Sequence, residues 1–209
     1  MKKIILAAAV CFSAGTFAES KETFSTTSET APFGKEQIVT LNASNKFTLS
    51  GKAIKVGDYM PSANLMTSDL KPFDTSDKTN SVKIYSVLTS VDTPVCVQQG
   101  IDLSNYISKH QSKLKGIEFY AISADTPFAQ QRYIKDNSLS SVTYLSDSSK
   151  HEFGMNTGSQ IDELGLLTRS IIVVDKNNKI VYVQRVPELT TIPDLENAVD
   201  RAQKAQKVL

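Results

Sequence analysis

Val82-Lys83-Ile84-Tyr85-Ser86-Val87-Leu88-Thr89-Ser90-Val91-Asp92-Thr93-Pro94-Val95-Cys96 joins a short apolar run to a segment with helical spacing. Val82, Ile84, Tyr85, Val87 and Leu88 read as a buried strand, while Val97, Ile101, Tyr106 and Ile107 recur at roughly helical spacing beyond the cysteine. Cys96 is therefore expected in the first turn of a helix. Unpaired backbone N–H groups and the positive end of the helix dipole favour a thiolate there, and thiolate is the form that attacks electrophiles. Read alone, a single cysteine is more simply a small buried apolar side chain. The rest of the chain decides between the two.

Working outward, Ile117 to Ile122 reads as a second strand, and Thr126-Pro127 starts a second helix, with Thr126 able to cap it and Pro127 tolerated in its first turn. Val142 to Leu145 is a third strand. Ser170 to Val174 and Ile180 to Val183 flank Asp175-Lys176-Asn177-Asn178-Lys179 as a hairpin, and Leu195, Val199 and Ala202 mark one face of a terminal helix beginning near Pro193. This order predicts an α/β sandwich around a central mixed sheet. About 150 residues from Pro61 onward suffice for one substantial core. Before it, Ile38 to Leu41, Lys46 to Leu49 and Ala53 to Val56 are short strand candidates, with Ser50-Gly51 as a hairpin turn, and together they predict an N-terminal β-hairpin extension. Pro61 to Asn80 reads as irregular.

The chain has 209 residues and begins Met1-Lys2-Lys3, an apolar run from Ile4 to Phe12, and Thr16-Phe17-Ala18. This is the pattern of a secretory signal peptide over residues 1–18, cleaved after Ala18, which implies a periplasmic protein that is not held in a membrane after cleavage. Cys11 would make a lipid anchor if a small residue preceded it, but Val10 does. Residues 19–37 are rich in Ser, Thr, Glu and Lys and are expected to form a flexible leader to a domain covering 38–209. Loss of Lys2 and Lys3 takes the basic count from 23 to 21 against 22 acidic residues, a balance that gives nucleic acid no attraction. The chain has two cysteines and two histidines, so removal of Cys11 leaves no internal disulfide, and His110 and His151 with Cys96 make poor material for a metal site.

Thr93-Pro94-Val95-Cys96 has the spacing of a dithiol exchange motif with Thr in the first position, so one nucleophile remains with a hydroxyl one turn away. Three ordered segments now bear on one another: Ser90-Val91-Asp92-Thr93-Pro94-Val95-Cys96; Ser123-Ala124-Asp125-Thr126-Pro127-Phe128-Ala129-Gln130; and Gly165-Leu166-Leu167-Thr168-Arg169-Ser170, followed by an apolar strand. With the closing Glu188-Leu189-Thr190-Thr191 they make the chain, from about Ile38 to the last helix, resemble the thiol peroxidase branch of the peroxiredoxins, built on the thioredoxin fold. The resemblance implies a peroxidase that reduces hydrogen peroxide or organic hydroperoxides. It assigns Cys96 as the peroxidatic cysteine, Thr93 as the hydroxyl that orients the peroxide, and Arg169 as the cation near the sulfur. A guanidinium stays charged, which suits it to stabilising a thiolate and a developing oxyanion.

The same resemblance implies a sulfenic acid intermediate, no organic cofactor or metal, recycling by an external thiol or thioredoxin-like reductant, and a homodimer. Two departures stand out. The branch has Pro seven residues before the cysteine, where this chain has Thr89, and it places a resolving cysteine where this chain has Ile134. These departures motivate a rival expectation, a binding or redox-sensing module without turnover; retention of Thr93, Cys96 and Arg169 opposes it.

Overall fold

A computed structural model describes residues 23–207; the expected signal peptide and Cys11 lie outside them. In chain order the elements are β1 (Thr26–Thr27), β2 (Ile38–Leu41), β3 (Asn45–Ser50), β4 (Asn64–Thr67), β5 (Pro72–Asp74), β6 (Val82–Val87), α1 (Pro94–His110), β7 (Ile117–Ser123) and α2 (Pro127–Asp136). There follow β8 (Thr143–Ser146), α3 (Glu152–Thr157), β9 (Gln160–Ile161), β10 (Leu166–Leu167), β11 (Ser170–Val174), β12 (Ile180–Arg185), β13 (Ile192–Pro193) and α4 (Leu195–Lys207).

Every residue of β6 is buried, as expected of a strand covered on both faces. It lies inside a seven-stranded mixed sheet in the order β12-β11-β6-β7-β8-β4-β5, parallel from β6 through β8 and antiparallel at both ends. Alternation along β6 sends Tyr85 and Val87 into one apolar cluster with Phe153 and Ile172, and Val82 and Ile84 into another with Leu103, Val199 and Ala202 of α1 and α4. Thr126 caps α2 by accepting from the Ala129 amide at 3.3 Å, and Pro127 opens the helix, as the sequence predicts. The mixed sheet with helices on it is the expected thioredoxin-like α/β architecture.

Four local expectations are corrected. The extension is a β2–β3 hairpin, but its turn is Asn42 to Ser44, not Ser50-Gly51. Asn42 and Ala43 both adopt positive φ (54° and 56°), a conformation in which an Ala costs about 1 kcal/mol or more. A distant carboxylate compensates: Glu188 accepts the amides of both residues at 3.0 Å and the Thr40 hydroxyl at 2.6 Å. Ala53 to Val56 is not a strand, because Gly51 and Gly57, both at positive φ, turn the backbone on either side while Ile54 alone is buried. Pro61 to Asn80 is not wholly irregular: it holds the β4–β5 hairpin, and β4 extends the main sheet by pairing with β8.

The described part of the expected flexible leader is also ordered against the body. Ser25 accepts the Ile192 amide at 2.9 Å, Thr26 and Thr27 pair in parallel with Ile192 and Pro193, and the Gln184 amide donates to the Thr27 and Glu29 carbonyls. The buried Arg185 donates to the Pro32 carbonyl at 2.6 Å, and burial pulls its pKa down to about 10. Backbone pairing of this kind carries no apolar signature, which is why a polar composition concealed it.

Glu188 also accepts the amide and hydroxyl of Thr190, so one carboxylate ties the β2–β3 turn to the segment after β12. Burial alone would raise its pKa, but the hydrogen bonds from Thr40, Ala43 and Thr190 outweigh it and hold the group below its ordinary 4.5. The ionised form therefore stabilises the fold above pH 4.5, and that contribution is lost as the pH falls through the lowered folded-state value. Glu188→Gln is expected to cost about 1 kcal/mol at neutral pH, near the low end for charge-assisted bonds because the carboxylate is partly solvated. Urea unfolding of both proteins checks this: the gap between them should close below pH 4.5, and a gap independent of pH would deny the ionised carboxylate its role.

Candidate active site

The β6-to-α1 connection and the start of β11 meet at one point because of register. β11 runs antiparallel to β6 with Ser170 opposite Val87, so the residue entering β11 lies beside the residues leaving β6. Those residues are Arg169 on one side and the loop leading to Cys96 on the other. Thr93 is the N-cap of α1 and Pro94 its first residue, which puts Cys96 in the first turn. The loop itself is held from the connection between β7 and α2: the Asp125 carboxylate accepts the Ser90 hydroxyl at 2.9 Å and the Val91 amide at 2.8 Å.

Cys96 and Arg169 are both fully buried, and the Arg169 Nη2 donates to Cys96 Sγ at 3.2 Å. Arg169 Nε donates to the Leu189 carbonyl at 3.1 Å and Nη1 donates to Gln99 Oε1. Gln99, 4% exposed, in turn donates from Nε2 to Ser86 Oγ at 2.8 Å. Among the described residues no carboxylate pairs with this guanidinium. A buried cation served only by neutral acceptors is costly. The sulfur of Cys96 is the remaining side-chain atom that this guanidinium touches.

Thr93 arrives at the site without a hydrogen bond to the sulfur: its hydroxyl donates to the Ser90 carbonyl at 3.0 Å. Thr89 is 6% exposed, and its hydroxyl has no partner among the described residues. Ile134 packs at the edge of the apolar cluster that holds Cys96, while its neighbour Tyr133 reaches closer and donates its hydroxyl to the Cys96 carbonyl at 2.9 Å. Burial, with Tyr144 and Cys96 nearby, raises the Tyr133 pKa far above its ordinary value, so it remains a neutral donor. Gln99 belongs to none of the sequence motifs. One turn beyond the cysteine on the buried face of α1, a glutamine among apolar neighbours was the available signal.

A cleft of about 650 Å³ opens over the site. Thr89, Thr93 and Arg169 line it beside apolar side chains that include Phe24, Val95, Leu166 and Leu189. Among the described residues no group of three or more His, Cys, Asp or Glu side chains could hold a metal ion, and no helix is long and apolar enough to cross a membrane.

Comparison with known proteins bears on this arrangement. Residues 55–199 match the Redoxin family model. The thiol peroxidase of Clostridium acetobutylicum is 38% identical over 159 residues, covering 76% of this chain and 94% of that one. That of Bacillus subtilis is 38% identical over 160 residues, covering 77% and 93%. Among solved structures, a peroxiredoxin-like protein from Aquifex aeolicus superposes with a TM-score of 0.74 at 30% identity, over 82% of this chain and 99% of that one. The thiol peroxidase from Chromobacterium violaceum, at 18% identity and a TM-score of 0.71, shares the fold over 84% of this chain.

If Gln99 holds Arg169 in place, its acceptor matters more than its bulk. Gln99→Leu keeps the volume but leaves a buried guanidinium N–H and the Ser86 hydroxyl unpaired, and is expected to cost about 3 kcal/mol in urea unfolding and to slow alkylation of Cys96 by iodoacetamide. Gln99→Glu keeps the acceptor but offers Arg169 a competing negative charge, so it should fold and still alkylate slowly. Wild-type stability together with wild-type alkylation in Gln99→Leu would remove Gln99 from the site.

Proposed function

The chain belongs to the thiol peroxidases of the redoxin family, and on that premise we propose that Cys96 is the residue its peroxide chemistry runs through. It is an oxidoreductase that reduces peroxides at the expense of a thiol. The observation that carries the assignment is the buried Arg169 donating to Cys96 Sγ with no carboxylate partner among the described residues.

The thiolate attacks one oxygen of the peroxide, forming an S–O bond as the O–O bond breaks. Cysteine is oxidised to sulfenic acid, and the other oxygen leaves with its electron pair and takes a proton to become water or an alcohol. Arg169, already aimed at the sulfur, meets the charge that develops on the oxygens, which a fork of fixed donors does at little reorganisation cost. The Thr93 hydroxyl spends its proton on the Ser90 carbonyl, which leaves its lone pairs to accept the O–H of the incoming peroxide and orient it. A thiol then attacks the sulfenic sulfur, expelling water and leaving a mixed disulfide, which a second thiol cleaves to restore Cys96.

The resolving step is external in this reading, because Ile134 stands where the branch carries its second cysteine and Cys96 is the one cysteine among the described residues. A thioredoxin-like protein or another thiol supplies the electrons. The same proposal has the chain exported by its residues 1–18 and working as a homodimer in the periplasm; the basic start, apolar run and Thr16-Phe17-Ala18 support export, and the frequency of twofold association supports the dimer.

Stopped-flow kinetics on single substitutions test the roles. Thr93→Val should keep the fold and slow peroxide reduction by roughly 10²-fold, the scale for one positioned polar group. Arg169→Lys should slow peroxide reduction more than iodoacetamide alkylation, because a lysine keeps charge but loses the fork. Equal losses in both assays would leave Arg169 no part in holding the peroxide. Wild type oxidised without reductant should carry a dimedone-reactive sulfenic acid on Cys96; a peroxide-stable Cys96 would overturn the assignment.

A further inference from the structure

The N-terminal strand precedes the matched residues 55–199, yet it reaches the active site. Thr23, Phe24 and Ser25 line the cleft that Thr89, Thr93 and Arg169 also line. Phe24 packs against the cluster that contains Val95 and Cys96. Its backbone is clasped on both sides by one α1 side chain: Gln98 Oε1 accepts the Phe24 amide at 2.8 Å, and Gln98 Nε2 donates to the Phe24 carbonyl at 2.9 Å. The adjoining residues are pinned by the pairing of Thr26 and Thr27 with Ile192 and Pro193. An aromatic side chain is thus carried to the mouth of the site by hydrogen bonds that involve nothing else in the reaction.

Hydrogen peroxide has no apolar surface and occupies a small fraction of a 650 Å³ cleft. Thr93 and Arg169 bring polar groups to the lining, to which Thr23, Ser25, Asn42 and Thr190 add, and the larger part of the wall is apolar, with Leu41, Leu164, Leu166 and Leu189 accompanying Phe24. That division, a few convergent polar groups and an apolar wall, is how a pocket orients a molecule with a polar head and an apolar body. We propose that Phe24 is a specificity-determining residue: it forms the wall on which the apolar substituent of an organic hydroperoxide packs while the peroxide head meets Thr93 and Arg169. The inference rests on the peroxidase reading above and adds to it a residue from outside the matched domain.

The consequence is selective. Phe24 contributes to transition-state binding of a substrate with an apolar body and nothing to that of hydrogen peroxide. Oxidation of Cys96 in the full chain, followed by stopped flow with cumene hydroperoxide and with hydrogen peroxide, measures this. Phe24→Ala is expected to lower kcat/KM for cumene hydroperoxide about tenfold, the scale for losing an apolar contact in a pocket, with hydrogen peroxide changed by less than about twofold. Phe24→Leu should recover most of the loss. Gln98→Ala removes the clasp without touching the cleft and should show the same selectivity, which keeps the test available if Phe24→Ala does not fold. An unchanged cumene hydroperoxide rate, equal losses on both peroxides, or a faster reaction with cumene hydroperoxide would each overturn the proposal. Wild type inert towards both peroxides would overturn the peroxidase reading beneath it.

Discussion

A guanidinium with no access to water has to find its hydrogen-bond acceptors inside the protein, and around Arg169 much of the fold is arranged to supply them. The Leu189 carbonyl comes from the segment after β12, and the Gln99 side chain and the Cys96 sulfur come from successive turns of α1. Each is placed by a different device. Leu189 is held because its amide donates to the Thr40 carbonyl, which couples it to the β2–β3 hairpin. Gln99 is held by Ser86 on the central strand. Cys96 is held by the start of α1, with Tyr133 fastened to its carbonyl from the neighbouring helix. The hairpin extension is therefore part of the site's support, although it contributes none of the atoms proposed to react.

Much of this was legible in the residues because the signals were local. A continuous apolar run beside a hairpin turn marked Ser170 to Val174 to the residue, Thr126-Pro127 announced the start of α2 by its capping chemistry, and the β6-to-α1 junction put Cys96 in a helix's first turn. What escaped depended on partners far away in the chain. A two-residue left-handed turn at Asn42-Ala43 has no glycine to advertise it and is made tolerable by Glu188, some 145 residues later. The strand at Thr26-Thr27 is polar and exists because Ile192 and Pro193 lie alongside it. Gln99 was hidden by its surroundings, since a polar side chain on a buried helical face is informative only once its acceptors and donors are known. Thr93 stands at the N-cap of α1, and the direction of its hydroxyl, towards Ser90, is set by the loop's own geometry.

Thr89 bears on the departure from the branch's usual proline. A proline would stiffen the loop by removing backbone freedom. Here the loop is tied instead by Asp125, which grips Ser90 and Val91 from the connection between β7 and α2, and Thr89 itself is buried. Rigidity at this point is thus obtained from a cross-link between two loops in place of a ring within one. The trade leaves a buried hydroxyl without a partner among the described residues where the proline would have only carbon.

The register of β11 against β6 carries a further meaning. A slip of one residue would turn every β11 side chain to the opposite face, taking Arg169 away from α1 with it. Sulfur and guanidinium, 73 positions apart in the chain, meet only when the sheet has assembled in its one correct alignment. The contact is in this sense a reporter of successful folding: a chain that is unfolded or misaligned carries a thiol without its guanidinium, and the reactivity proposed for Cys96 would be acquired only together with the packed interior that surrounds it.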